Sequence, residues 1–121
     1  MAERRPERVG HLVQSELARL LIREAKNPRL RLVTVTSVRM TPDLRVARVY
    51  VRTLEEGVDH EDLVRALHRA APFLRGEIGR ALGLRLTPEL RFAYDALPDT
   101  ARRLDELLRA GNTRRTDDEK K

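Results

Sequence analysis

A chain of 121 residues suffices for one domain with tails: it buries roughly two-thirds of its unfolded surface around a single core and is too short for two. With 40% hydrophobic and 36% charged residues and no cysteine, it falls outside the disordered, membrane-spanning and disulfide or thiolate classes. Its net charge of +6 lies in the first half, where residues 1–54 carry 12 basic and 5 acidic side chains against 13 and 14 in residues 55–121. Such segregation implies an anionic partner for one face, most often a phosphate backbone.

Residues 1–10 mix acids with arginines and lead into no continuous apolar run, so no secretory or transit signal is expected and the cytoplasm is the default location. From Arg8 to Ala25, the residues Val9, Leu12, Val13, Leu17, Leu20 and Leu21 recur at intervals of three and four, the stripe of a helix lying on a core. Pro6 suits its entrance and Asn27-Pro28 its end, because a proline disfavours helical geometry in the residue before it. Leu32 to Met40 is β-branched and free of breakers, which predicts a strand. Val33 and Val35 share one parity and Val38 and Met40 the other, so a bulge is expected near Thr36 or Ser37. After a turn at Thr41-Pro42-Asp43, Leu44 to Thr53 alternates, with Ala47, Val49 and Val51 on one face and Val46, Arg48, Tyr50 and Arg52 on the other. The short connection predicts an antiparallel hairpin with one apolar and one basic face.

Asp59 is placed to cap a helix whose buried edge is Leu63, Leu67 and Ala70. Pro72 then interrupts, although the apolar spacing resumes at Leu74, Ile78 and Leu82 before Gly83. Two helices joined by a sharp kink are predicted. Leu86 to Asp95 forms the last strand, with Leu90, Phe92 and Tyr94 in one parity, and Asp99 to Ala110 a short closing helix with Leu104, Leu107 and Leu108 inward. Gly111 to Lys121 has no apolar residue and reads as a disordered charged tail, leaving residues 1–110 as the domain. Three strands with helices on one face make an α+β domain. The order helix, strand, strand, helix, kink, helix, strand resembles the KH fold of the prokaryotic type, type II.

Of the 25 basic residues 22 are arginine; genomic composition or a hot habitat would explain that bias but not its separation from the acids. Arg19 and Arg23 have acids within helical reach, whereas three groups lack an obvious local acid. Arg4, Arg5 and Arg8 cluster at the first helix entrance, Lys26, Arg29 and Arg31 at its exit, and Arg45, Arg48 and Arg52 along the second strand, with Arg75 and Arg80 after the kink as the next choice. Arginine suits bidentate phosphate contacts and stacking on exposed bases, so these are the candidate RNA-binding residues. Four aromatics are too few for a reader built on successive base stacking. Phe73 and Phe92 are expected in the core, leaving Tyr50 as the stacking candidate, so recognition should rest mostly on RNA shape and backbone. Gly76-Glu77-Ile78-Gly79 formally matches a phosphate-cradling Gly-x-x-Gly, but too little helix follows it and Glu77 would face phosphates; helix glycines that permit close packing are the simpler expectation. No Walker loop, dinucleotide fingerprint, zinc-protease motif or nucleophile elbow is present, and His11, His60 and His68 have no companions at a recognisable spacing, so no catalysis, metal or cofactor is expected.

Six separated segments resemble the successive signatures of the bacterial ribosome-binding factor A family, in order and spacing, from about Arg4 to Leu108. They are Lys26-Asn27-Pro28-Arg29-Leu30, Val33-Thr34-Val35, Thr41-Pro42-Asp43-Leu44, Ala47-Arg48-Val49-Tyr50-Val51, Phe73-Leu74-Arg75 and Leu84 through Asp95. The resemblance implies a non-catalytic, monomeric assembly factor that binds the free small (30S) ribosomal subunit, contacts 16S rRNA and assists late maturation including 5′-end processing. It also implies a link to growth in the cold. The family usually has Ala-x-Gly at the kink, whereas this chain has Ala70-Ala71-Pro72, which keeps a break in helix direction but removes the amide hydrogen a phosphate would use. The rival from another class is a protein-interaction adaptor in which the first helix or an edge strand pairs with another polypeptide and the arginines only solubilise.

Overall fold

The computed structural model describes residues 6–23, 26–96 and 108. Arg4, Arg5, most of the expected closing helix and the expected tail lie outside the described residues. Leu108 is helical but 65% exposed, so its expected inward position is not met.

Helix α1 (Pro6–Arg23) opens on the proline and buries Val9, Val13, Leu17, Leu20 and Leu21. Leu12, expected in that stripe, falls outside the buried arc and is exposed. A short 3-10 helix, Pro28–Leu32, follows, which the sequence reading did not separate from the strand. The Asn27 side chain caps it by accepting the Arg29 amide at 3.0 Å. Strands β1 (Val33–Met40) and β2 (Val46–Thr53) form the expected antiparallel hairpin. Their register shifts between Val35 and Ser37, making Thr36 the extra residue of the expected bulge. The bulge returns Val38 and Met40 to the face of Val33 and Val35, where both pack against the core. The Thr36 hydroxyl donates to Asp95 Oδ2 at 2.8 Å and lies 3.1 Å from the Tyr50 carbonyl oxygen. In the connecting turn, Leu44 takes φ 64°, a left-handed conformation costly for a branched side chain, and is held there by packing against the core.

Asp59 caps α2 (His60–Leu82) by accepting the Glu61 and Asp62 amides, and Gly83, at φ 64°, ends it. The two helices expected about Pro72 are one element: α2 runs through the proline without interruption. Pro72 forfeits one backbone hydrogen bond, but Leu63, Ala66 and Leu67 before it and Leu74 and Ile78 after it bury into the same core, which keeps the helix continuous through it. Phe73, expected in the core, is 45% exposed, because it lies about 100° round the helix from Leu74.

Strand β3 (Glu89–Tyr94) pairs parallel with β2, giving a three-stranded sheet in the order β1-β2-β3 with α2 as the crossover. It starts later than expected because the preceding loop is held to the helix instead: Arg75 Nε donates to the Pro88 carbonyl at 3.0 Å and Nη2 to the Thr87 carbonyl at 2.9 Å. On the far side of β3, His68 Nε2 accepts the Phe92 amide at 3.1 Å, a donor β2 does not use, and tyrosine Tyr94 stacks on His60 at 3.5 Å. Both helices cover one face of the sheet. The core joins Leu17, Leu21, Leu63, Leu67, Leu74 and Ile78 to Ala47, Val49, Val51, Leu90 and Phe92.

The glycines separate two packing regimes. A Cβ on Gly10 would lie 2.9 Å from the Val38 carbonyl oxygen, so α1 approaches β1 closely only without a side chain, and one on Gly79 would lie 2.6 Å from Thr87 Oγ1; one on Gly76 would meet open space. Gly10→Ala should therefore lower stability by about 1–3 kcal/mol, through overpacking, and Gly76→Ala raise it by about 0.5–1 kcal/mol, through helix propensity, both read from urea unfolding. Thr36→Val, nearly isosteric, should cost about 1–3 kcal/mol because it strips a hydrogen bond from the buried Asp95 carboxylate, as the same measurement would show.

Candidate nucleic-acid interface

Strand alternation fixes which side chains point away from the helices. On β2 they are Val46, Arg48, Tyr50 and Arg52, on β1 Thr34, Ser37 and Arg39, and on β3 Glu89, Arg91 and Ala93. Register then aligns them: Arg39 lies opposite Arg48, and Arg48 opposite Arg91, so three arginines form one row across the sheet. Directly opposite residues have Cβ atoms about 4.5–5.5 Å apart, and like charges so placed repel. Glu89 relieves one member, its carboxylate meeting Arg91 Nε at 3.0 Å; this holds the Glu89 carboxyl below the usual range and raises Arg91. Arg39 and Arg48 have no carboxylate partner among the described residues, and both are only half exposed. Two arginines set opposite each other without a carboxylate partner among the described residues concentrate positive charge on this face.

Arg39 escaped the sequence reading. Counting strand parity through the bulge would have placed it on the basic face, but the register that sets it against Arg48 requires the paired strands.

The other candidates divide by what holds them. Arg8, Lys26 and Arg31 are exposed and have no ion pair among the described residues. Arg29 faces Glu55 at 3.4 Å without hydrogen-bond geometry. Arg45 lies 3.9 Å from Asp43, a solvent-exposed pair of little energetic weight. Asp43 itself accepts the Thr41 hydroxyl and the Arg45 amide, and these hydrogen bonds lower its pKa. Arg52 donates to the Asp95 carbonyl at 3.1 Å, Arg80 pairs with Glu77 one turn away, and Arg75 is engaged by the two loop carbonyls. Arg39 and Arg48 in the sheet row, with Arg8, Lys26 and Arg31 about the ends of α1, are therefore the members without a carboxylate partner among the described residues, whereas Arg75 has a structural role that the sequence reading did not foresee. At the expected kink, Ala70 and Ala71 are half-buried and Pro72 is exposed on an unbroken helix. A shallow depression of about 300 Å3 beside the start of α2 is lined by His60, Glu61, Val64, Arg65 and Tyr94, which include no nucleophile with an adjacent base. No group of three or more metal-ligating side chains occurs among the described residues.

The family model for ribosome-binding factor A matches residues 5–108. The chain belongs to the ribosome-binding factor A family. It is 43% identical to the ribosome-binding factor A of Nitrosococcus oceani over 115 residues, covering 95% of this chain and 91% of that one. It is 46% identical to that of Hahella chejuensis over 110 residues, covering 86% and 82%. The crystal structure of ribosome-binding factor A from Thermus thermophilus superposes with a TM-score of 0.64 at 32% identity, covering 74% of this chain and 94% of that one. A homology model of the Thermus thermophilus factor fitted into the cryo-electron microscopy map of a 30S complex matches with a TM-score of 0.64 at 31% identity, covering 76% and 98%. The KH-like α+β fold expected from the element order is that of these ribosome-binding factor A structures.

Within this family member, the repulsion between Arg39 and Arg48 has a measurable signature. Arg39→Gln should raise stability by a few tenths of a kcal/mol up to about 1 kcal/mol at low ionic strength, with the gain shrinking as salt screens the pair, in urea unfolding at two salt concentrations.

Proposed function

We propose that the chain is a non-catalytic assembly factor that docks on the free small ribosomal subunit by binding 16S rRNA, assists late maturation including 5′-end processing, and leaves when maturation is complete. The observation that carries this reading is the surplus of guanidinium and ammonium groups without carboxylate partners among the described residues: Arg39 and Arg48 on the sheet, and Arg8, Lys26 and Arg31 about the ends of α1. The 30S complex of the Thermus thermophilus relative supports it. Binding through arginines to backbone and shape needs no covalent step. The factor acts as a cytoplasmic monomer under this reading and contributes to growth in the cold.

If about six phosphates are neutralised, log affinity for 16S rRNA should fall with log salt at a slope of about −4 to −5. Arg48→Ala should flatten that slope by about 1 and weaken binding across sequences alike. Filter binding with protein-free 16S rRNA over a salt series measures both. A slope near zero, or co-sedimentation with subunits but not with naked rRNA, would instead favour a protein adaptor.

A further inference from the structure

We infer that the solvent face of α2 carries a stacking site for an unpaired RNA base, with Phe73 as its platform and Arg69 as the holder of an adjoining phosphate. It rests on the proposal that the chain binds rRNA, and it adds a contact on the side of the domain opposite to the sheet's basic face.

The chain has four aromatic residues, and three are committed. Phe92 is buried with His68 against its edge, Tyr94 lies face to face with His60, and Tyr50 is half-buried on the sheet with interactions of its own. Phe73 alone is a phenyl ring 45% exposed with no ring stacked on it. A single exposed apolar side chain needs no explanation by itself. Its surroundings do. On a helix the neighbours of Phe73 at i−4, i−3, i+3, i+4 and i+7 are Arg69, Ala70, Gly76, Glu77 and Arg80, and the Glu77 carboxylate is held by Arg80. Gly76 presents no side chain and open space around it, leaving the surface beside the ring bare. Arg69 has no ion pair among the described residues. From Arg65 to Arg80 the helix displays Arg65, Arg69, Arg75 and Arg80 against the single carboxylate Glu77. Arg75 donates to neutral carbonyls and forms no ion pair among the described residues, although its charge reaches Glu89 through space, and the pairs of Arg65 with Asp62 and Arg80 with Glu77 are exposed.

That composition selects the occupant. An apolar protein partner needs a contiguous apolar patch, and here one ring stands among cations. A nucleotide brings what the site lacks: a π face for the phenyl ring and a negative phosphate for Arg69, a pairing that tolerates any base.

The chain contains no tryptophan, so Phe73→Trp installs one fluorescent reporter. Titrated with 16S rRNA, its emission should be quenched with the same midpoint as filter binding. Phe73→Leu keeps apolar bulk without the ring and should weaken binding roughly five- to hundred-fold, the range of one lost stack, with the salt slope unchanged. Arg69→Gln should instead flatten the slope by about 1. Thermal unfolding of each variant establishes that it is folded. Wild-type affinity for Phe73→Leu, or an unquenched tryptophan at saturation, overturns the stacking site while leaving rRNA binding standing. Failure of the parent chain to bind 16S rRNA overturns both.

Discussion

The structure depends on one extra residue in β1. A strand's side chains alternate with a period of two, so a uniform β1 that buried Val33 and Val35 would expose Val38 and Met40 and turn Arg39 into the core. Thr36 absorbs the mismatch as a bulge, clasped by Asp95 and the Tyr50 carbonyl. Two consequences follow together: the apolar face becomes continuous along the strand, and Arg39 emerges opposite Arg48. Packing and charge placement thus have one origin, and the hydroxyl-to-carboxylate contact that secures it links the first strand to the end of the last.

The domain is two-sided because both helices lie on the same face of the sheet. With the apolar side chains used there, the opposite face is left to arginines, and its central row is held together against its own repulsion by the strand hydrogen bonds beneath it. A fold selected only for stability would have placed an acid beside Arg48, as it did beside Arg91. The protein carries that electrostatic cost in its sheet.

Helix α2 reconciles a local rule with a global one. Proline inside a helix costs about 3 kcal/mol in an isolated segment, and that local rule favours two helices here. Burial of five apolar side chains on both sides of Pro72 outweighs one missing hydrogen bond, and the helix continues. Arg75 extends the same economy of parts, tying the α2–β3 loop through two carbonyls while keeping its positive charge at the surface.

The sequence by itself determined the elements whose cause is local. Periodic leucines gave α1, the Asp59 and Gly83 caps bounded α2, clean alternation identified the two faces of β2, and the parity switch located the bulge to within a residue. It also placed the charge excess and carried the family resemblance in six separated segments. Only the tertiary structure decided the matters that depend on residues far apart in the chain: that Arg39 and Arg48 are neighbours, that Arg75 belongs to a loop 12 residues away, that α2 is unbroken, and that Phe73 faces solvent. The reason is physical: periodicity reports which residues are compatible with burial, but strand register and the width of the buried arc are set by the elements packed against them.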